Sequence, residues 1–375
     1  MEQEPVARRT AASGYARLED EAELEDGGVR PQAFTAVELL RDWVGVCEDA
    51  ISDIAYSPDG REVATGDMHG MISLWDRATG AKLRAMNCEE GVNCIAYAPD
   101  GTELASGDDA HWLRLWDRFK GTLLLMMQCD EIVNGVAYAP DGMDLATADA
   151  ACRVTLWNRT TGAYLRSMEC ADAVNDVDYA PDGGEIATVD SSGMLTLWER
   201  STGDKLMTML NATKVGIRPP QTLPHLPRSE QVALRCVKYS PNGSELATGS
   251  SSKRLTVWER STGAKLALMD CAQGIHCVAW APDGLEIATG DAANQVTLWE
   301  RSSGAKLRCI ECEGWVYGVA YAPGGGEVAT GDDAKRLTIR PRVADKGPGN
   351  DFMTGLASAF HSKQPEATPP INTRD

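Results

Sequence analysis

Apolar and polar residues alternate along this chain in short runs, and the runs return at a fixed interval. Val92 to Tyr97 alternates and is β-rich, Pro99-Asp100-Gly101 makes a turn, and Glu103 to Ser106 resumes the alternation. Leu113 to Trp116 forms a third run and, after a Gly-containing turn, Leu123 to Met127 a fourth. Short β-rich runs bounded by Gly, Pro and Asp predict strands joined by tight turns. The four-run pattern returns every 41 residues, marked by Trp75, Trp116, Trp157, Trp198, Trp258 and Trp299, with Arg340 where a seventh tryptophan is due. One step, Trp198 to Trp258, is longer by an insertion of 19 residues.

A four-stranded unit of this size cannot bury both faces alone. Stacking such units around an axis covers each with its neighbours, which predicts an all-β, seven-bladed β-propeller. The unit resembles the WD40 repeat in the pairs Trp75-Asp76, Trp116-Asp117, Trp157-Asn158, Trp198-Glu199, Trp258-Glu259 and Trp299-Glu300 and in its SPDG or APDG turns, over residues 37–341. The resemblance implies a ring closed by pairing an N-terminal strand with the last blade. Nothing after Ile339 reads as that blade's fourth strand, because Arg340-Pro341-Arg342 interrupts the pattern and proline removes a ladder donor. Counting one period back from Leu83 to Cys88 lands on Asp42 to Cys47, so Val37 to Val46 is the expected closing strand. Closure would pair two edges otherwise left open.

The resemblance also implies a buried set of His, Ser or Thr, Asp and Trp in each blade. Here the hydroxyl is kept as Thr65, Ser106, Thr147, Thr188, Thr248, Thr289 and Thr330. The His slot holds Cys47, Cys88, Cys129, Cys170, Cys271 and Cys312, and the Asp slot, six before each Trp, holds His69, Ala110, Ala151, Ser192, Ser252, Ala293 and Ala334. Losing both members of a buried polar pair costs less than losing one. The thiols therefore read as structural replacements, with no cofactor and no metal expected. The rival reading, metal binding or redox chemistry, requires thiolates that converge on one ion, whereas these lie on different blades.

Composition narrows the function. The chain has 375 residues, 43% of them hydrophobic, 11 cysteines and a formal net charge of −19. That charge opposes direct nucleic-acid binding, which rests on neutralising phosphates. No apolar run is long enough for a membrane span, and the N-terminus lacks the order of a signal peptide. An intracellular, cytoplasmic place with reduced thiols is expected, the nucleus being left open. The expected organisation is an acidic, disordered arm over 1–36, a propeller over 37–341 and a flexible tail over 342–375. The insertion, about 211–229 between blades four and five, carries Lys214, Arg218 and Arg228 among four prolines. Within the tail, Phe352, Leu356 and Phe360 recur every fourth residue and would align on a short helix over 351–361, as a docking stripe or as a face packed on the propeller.

In such a propeller the turns between second and third strands share one rim, the top, with the connections between blades. This assigns Asp67, Asp108, Asp109, Asp149, Asp190, Asp291, Asp332 and Asp333 to the top, with Glu89, Glu90, Asp130, Glu131, Asp172 and Glu313 in the adjoining loops: an acidic crown. The plainer role for a turn Asp is to cap local backbone donors. Blade five breaks the crown with Lys253 and Arg254, and Trp112, Trp315, Met68 and Met71 add large apolar groups. On the opposite rim Arg77, Arg118, Arg159, Arg200, Arg260 and Arg301 are expected to be balanced by acidic neighbours such as Asp76, Asp117 and Glu199. The five histidines are scattered, with no metal-ligand spacing and no nucleophile or phosphate-loop motif. The expectation is a non-catalytic scaffold that presents its top rim to a protein or peptide with a basic segment. Alternatives are a structural subunit docked through its terminal tails, and a propeller enzyme with an axial carboxylate or metal site.

Overall fold

A computed structural model of the chain describes residues 43–211 and 232–342. The arm at 1–36, nearly all of the insertion and the tail with Phe352, Leu356 and Phe360 lie outside these residues. The repeats form seven four-stranded antiparallel sheets. Blade two shows the pattern: Val92–Tyr97, Glu103–Asp108, Trp112–Asp117 and Leu123–Gln128, here strands a to d. Blades one to six begin at Ile51, Val92, Val133, Val174, Leu234 and Ile275. Blade seven takes Val316–Tyr321, Glu327–Asp332 and Arg336–Pro341 from the end of the propeller and its fourth strand, Trp43–Val46, from the beginning. The closing register sets Trp43 opposite Ile339 and Val46 opposite Arg336. The expected closing strand is thus present over its described part.

Strands a contact one another around the ring and line the axis. In every blade strand a carries a bulge after its first residue, and the extra residue turns that side chain out of the ladder. The core lies between blades. Leu113, Leu115 and Met127 of blade two pack with Val133, Val136, Leu145 and Trp157 of blade three. The closing seam is built alike, with Ala329, Leu337 and Ile339 of blade seven against Ile51, Ile54, Val63 and Trp75 of blade one. Each buried Val, Leu or Ile contributes about 1.5–3 kcal/mol, so a blade without its neighbours loses most of its stability.

The rewritten polar set is a three-member chain. Each tryptophan indole N–H donates to the Thr or Ser hydroxyl of its blade at 2.8–3.1 Å. A thiol from the preceding connection lies 3.4–3.9 Å from the same hydroxyl in five blades, Cys47 with Thr65 being the shortest. Burial pushes these thiols up, Cys129 and Cys170 to about 12 and Cys271 to about 11, so they remain protonated. After blade four the connection holds Asn211, whose backbone N–H donates to Gly193 as Cys88 does to Gly70.

Contrary to expectation, the bottom arginines do not pair with their neighbours in sequence; they clamp adjacent blades. Arg118 reaches Glu62 at 2.8 Å and Asp59 at 3.1 Å, both in blade one, and its guanidinium lies over the Tyr97 ring. Arg159, Arg200 and Arg260 repeat this on the pairs Glu103 and Asp100, Asp144 and Asp141, and Glu185 and Asp182. Arg342, two residues beyond the slot of the missing tryptophan, does so on Glu286 and Asp283. Arg77 of blade one reaches Glu327 of blade seven and carries the clamp across the seam. The nearby acids serve their own turns, where Asp76 and Asp117 accept backbone N–H groups.

Candidate functional site

Backbone hydrogen bonds define the top rim. Met68 N–H in the turn between strands b and c donates to Ala50 before strand a, and Cys88 N–H, in the next connection, donates to Gly70 of the same turn. The pair of bonds recurs around the ring. The tips require left-handed backbone, supplied by Gly70 and Gly193 and elsewhere by His111, Cys152, Lys253, Asn294 and Lys335.

Six of the acidic residues assigned to the crown do not face solvent. Asp67, Asp108, Asp149, Asp190, Asp291 and Asp332 are 0–3% exposed. Each accepts the backbone N–H four residues on, as Asp67 does from Met71 at 2.9 Å and Asp190 from Met194 at 2.9 Å. An anion in a tight turn satisfies donors that strand pairing cannot reach. Burial raises the carboxyls of Asp149, Asp190 and Asp332 above the usual range. In blade five Ser250 takes the place of Asp and its hydroxyl accepts Arg254 N–H.

The acidity that reaches solvent lies elsewhere on the rim. Glu48, Glu89, Glu90, Asp109, Asp130, Glu131, Glu313 and Asp333 are exposed and Asp172 is half-buried. These lie over blades seven to four, and Asp270 and Glu311 are exposed at the top ends of strands d in blades five and six. Asp109 accepts from the Asn93 amide, and Asp333 accepts Trp315 N–H at 2.7 Å. Between blades one and two, Glu48, Met68, His69, Met71, Asn87, Glu89, Glu90 and Gly91 line an open cleft. Met68 is half exposed there, and Glu89 holds a left-handed backbone at φ 73 that a side chain rarely adopts.

The other expected groups are spread. Trp112 opens strand c of blade two and donates its backbone N–H to Asp108. Trp315 is 47% exposed and stacks on His276 of blade six at 6.1 Å, so it turns toward blade six. Lys253 is exposed at its turn, whereas Arg254 meets Asp270 at 3.1 Å. Sequence reading missed the mouth of the axis. Arg235, His276 and Tyr317 stand one period apart as second residues of strand a, with Arg235 Nη1 2.8 Å from His276 Nδ1 and the His276 ring 4.5 Å from that of Tyr317. The matching Asn134 and Asn175 donate to the next blade's backbone.

Deeper in the axis stand Asp53, Asp176, Asp178 and Lys238. Lys238 Nζ lies 3.7 Å from Asp176 and 3.6 Å from Asp178. Desolvation pushes the Asp53 carboxyl up to about 7, against the backbone N–H groups of Ile95 and Ile54 that favour its anion. Asp176 and Asp178 likewise accept Val237 and Tyr239 N–H of the next blade, so the carboxylates tie neighbouring strands together. Among the described residues no three His, Cys, Asp or Glu are placed to hold a metal ion, and no helix is long and apolar enough to cross a membrane.

A closed ring of seven blades, with a tryptophan–hydroxyl bond in six of them, defines a β-propeller of the repeat class. The family model described as WD domain, G-beta repeat, matches residues 40–76, 80–117, 219–259 and 265–300, so the chain carries WD40 repeats in four places within its seven-bladed propeller. No curated protein matches the chain. Such a propeller is typical of protein-interaction scaffolds and generally non-catalytic.

Proposed function

We propose that this chain is a non-catalytic interaction scaffold whose top rim receives a protein or peptide with a basic segment, the cleft between blades one and two taking a Lys or Arg side chain. The observation that carries this reading is the lining of that cleft, where Glu48, Glu89 and Glu90 stand beside Met68 and Met71. Carboxylates orient the cationic head, and flexible methionines cover its apolar stem. Magnitudes set the division of labour. An exposed ion pair contributes about 0.2–1 kcal/mol, so three acids steer encounter and set specificity, while burial of apolar groups on the rim slows dissociation. Trp315 and the exposed Lys253 belong to the same surface and would contact other parts of the partner.

The test is affinity capture with the wild type beside a Glu48→Lys, Glu89→Lys, Glu90→Lys variant. Partners with basic segments should be recovered by the wild type and lost by the variant. Recovery of the same proteins in equal yield would place the binding surface elsewhere.

A further inference from the structure

The d strands of blades one to six are near-copies, which makes the departure of one of these six legible. Blades one, four, five and six open this strand with Lys82, Lys205, Lys265 and Lys306, each ammonium lying 4.8–5.4 Å over the tryptophan ring of its own blade. Blade three sets Tyr164 edge-on against Trp157. Blade two has Leu123, and its strand, Leu123-Leu124-Leu125-Met126-Met127-Gln128, carries no charge. Leu123, Leu124 and Met126 are each 43% exposed, and Phe119 in the preceding turn is 59% exposed. Among the described residues the strand has one neighbour in its sheet, and its outer edge is open there. Sheets keep such edges single with charges, lysine above all. Blade two lacks that guard.

We propose that two copies of the chain join here, blade two to blade two, their d strands antiparallel about a two-fold axis. An antiparallel pair of identical strands is self-complementary, as an isologous contact requires. Cys129 N–H donates inward to His111, so by alternation Met126 and Gln128 direct their amides outward. An axis through Met126 lets the two Met126 residues exchange backbone hydrogen bonds and sets Leu124 opposite Gln128 of the second copy. It also brings Lys120, at one end of the strand, beside Asp130 and Glu131 of the second copy. These end groups are exposed and held by surface contacts alone, Lys120 to Asp117, Asp130 to Arg153 and Glu131 to His111. Opposite charges therefore meet at both ends of an apolar centre, and that complementarity selects a second copy as the occupant. One edge strand per copy makes an interface at the small end of the stable range, with a dissociation constant on the order of micromolar.

Sedimentation equilibrium of the full chain, up to on the order of 100 μM, should show a monomer–dimer equilibrium. The pair Leu123→Lys and Met126→Lys, the first of which restores the residue of the sibling blades, should weaken it at least about tenfold with unchanged circular dichroism. Lys120→Glu should weaken it as well, and adding Asp130→Lys with Glu131→Lys should restore it. A photo-crosslinker at Leu124 should join the chain to its own copy. A wild type that stays monomeric, a dimer indifferent to these changes, or a crosslink to a different protein would each overturn the proposal.

Discussion

Trp43 donates its indole N–H to the backbone carbonyl of Arg77 across 2.8 Å, which ties the first described strand of the chain to the turn after strand c of blade one. Its ring lies 6.3 Å from that of Trp75. Glycine makes room for this seam: a Cβ at Gly80 would lie 2.9 Å from the Trp43 ring, and one at Gly45 would lie 3.1 Å from that of Trp75. Trp43→Ala removes the hydrogen bond and the half-buried ring together and should cost about 2–4 kcal/mol. Val44→Ala, on the exposed face of the same strand, should change stability by less than about 0.5 kcal/mol. Urea midpoints of the two variants check the difference.

Blade two contains a buried ion pair, Asp108 with Arg114. The other blades hold Ser73, Thr155, Thr196, Thr256, Thr297 and Thr338 at the arginine position, and five of them bury the turn Asp with no cation at that position. Arg114→Thr should therefore be tolerated within about 1 kcal/mol, whereas Asp108→Asn strands a buried guanidinium and should cost about 3–5 kcal/mol. Chemical denaturation of the two variants measures the asymmetry.

Thr188→Val leaves the indole N–H of Trp198 buried without an acceptor, at a cost of about 1–3 kcal/mol. In blade seven Arg340 stands in place of the tryptophan, so Thr330 accepts no indole N–H and keeps the bond to the Thr338 carbonyl at 3.5 Å and the contact with the Cys312 thiol. Thr330→Val should cost less than half as much as Thr188→Val in the same thermal or urea assay.

Burial, helped by the Arg235 cation, depresses His276 from 6.5 to about 4. The folded state therefore holds the imidazole neutral while the unfolded chain binds a proton below about pH 6.5. The stability this group contributes is full above that pH and declines as pH falls toward 4. By NMR titration His276 should remain neutral at pH 6, and Arg235→Ala should move its midpoint upward.

The propeller was legible because its period is carried by residues that pack: the tryptophans, the turn motifs and the hydroxyls. Counting back one period located the strand that holds Trp43 and Val46. The clamp was missed because its partners are remote in sequence; Arg118 and Glu62 are 56 residues apart and meet only once the blades stand side by side. Arg342 could have been found, since it follows the empty tryptophan slot by the same two residues as Arg118 follows Trp116. On the rim, a turn Asp reads alike whether it caps its own backbone or faces water. The distinguishing signal is repetition: the capping Asp stands eight residues before the tryptophan slot in six of the seven blades, Ser250 filling the other, while the next slot is acidic only in Asp109 and Asp333. The mouth residues Arg235, His276 and Tyr317 follow the 41-residue period, yet they vary in type and so escape a search for repeated chemistry.

The most direct measurement is selection of random peptides on the immobilised propeller, followed by affinities of the winners for three forms of the chain. Peptides rich in Lys and Arg should be enriched. They should bind the wild type and an Asp204→Lys variant of the opposite rim alike, and lose at least about tenfold in affinity, some 1.4 kcal/mol, to the Glu48→Lys, Glu89→Lys, Glu90→Lys variant. Winners without basic residues, or equal binding to all three forms, would contradict the assignment of the top rim.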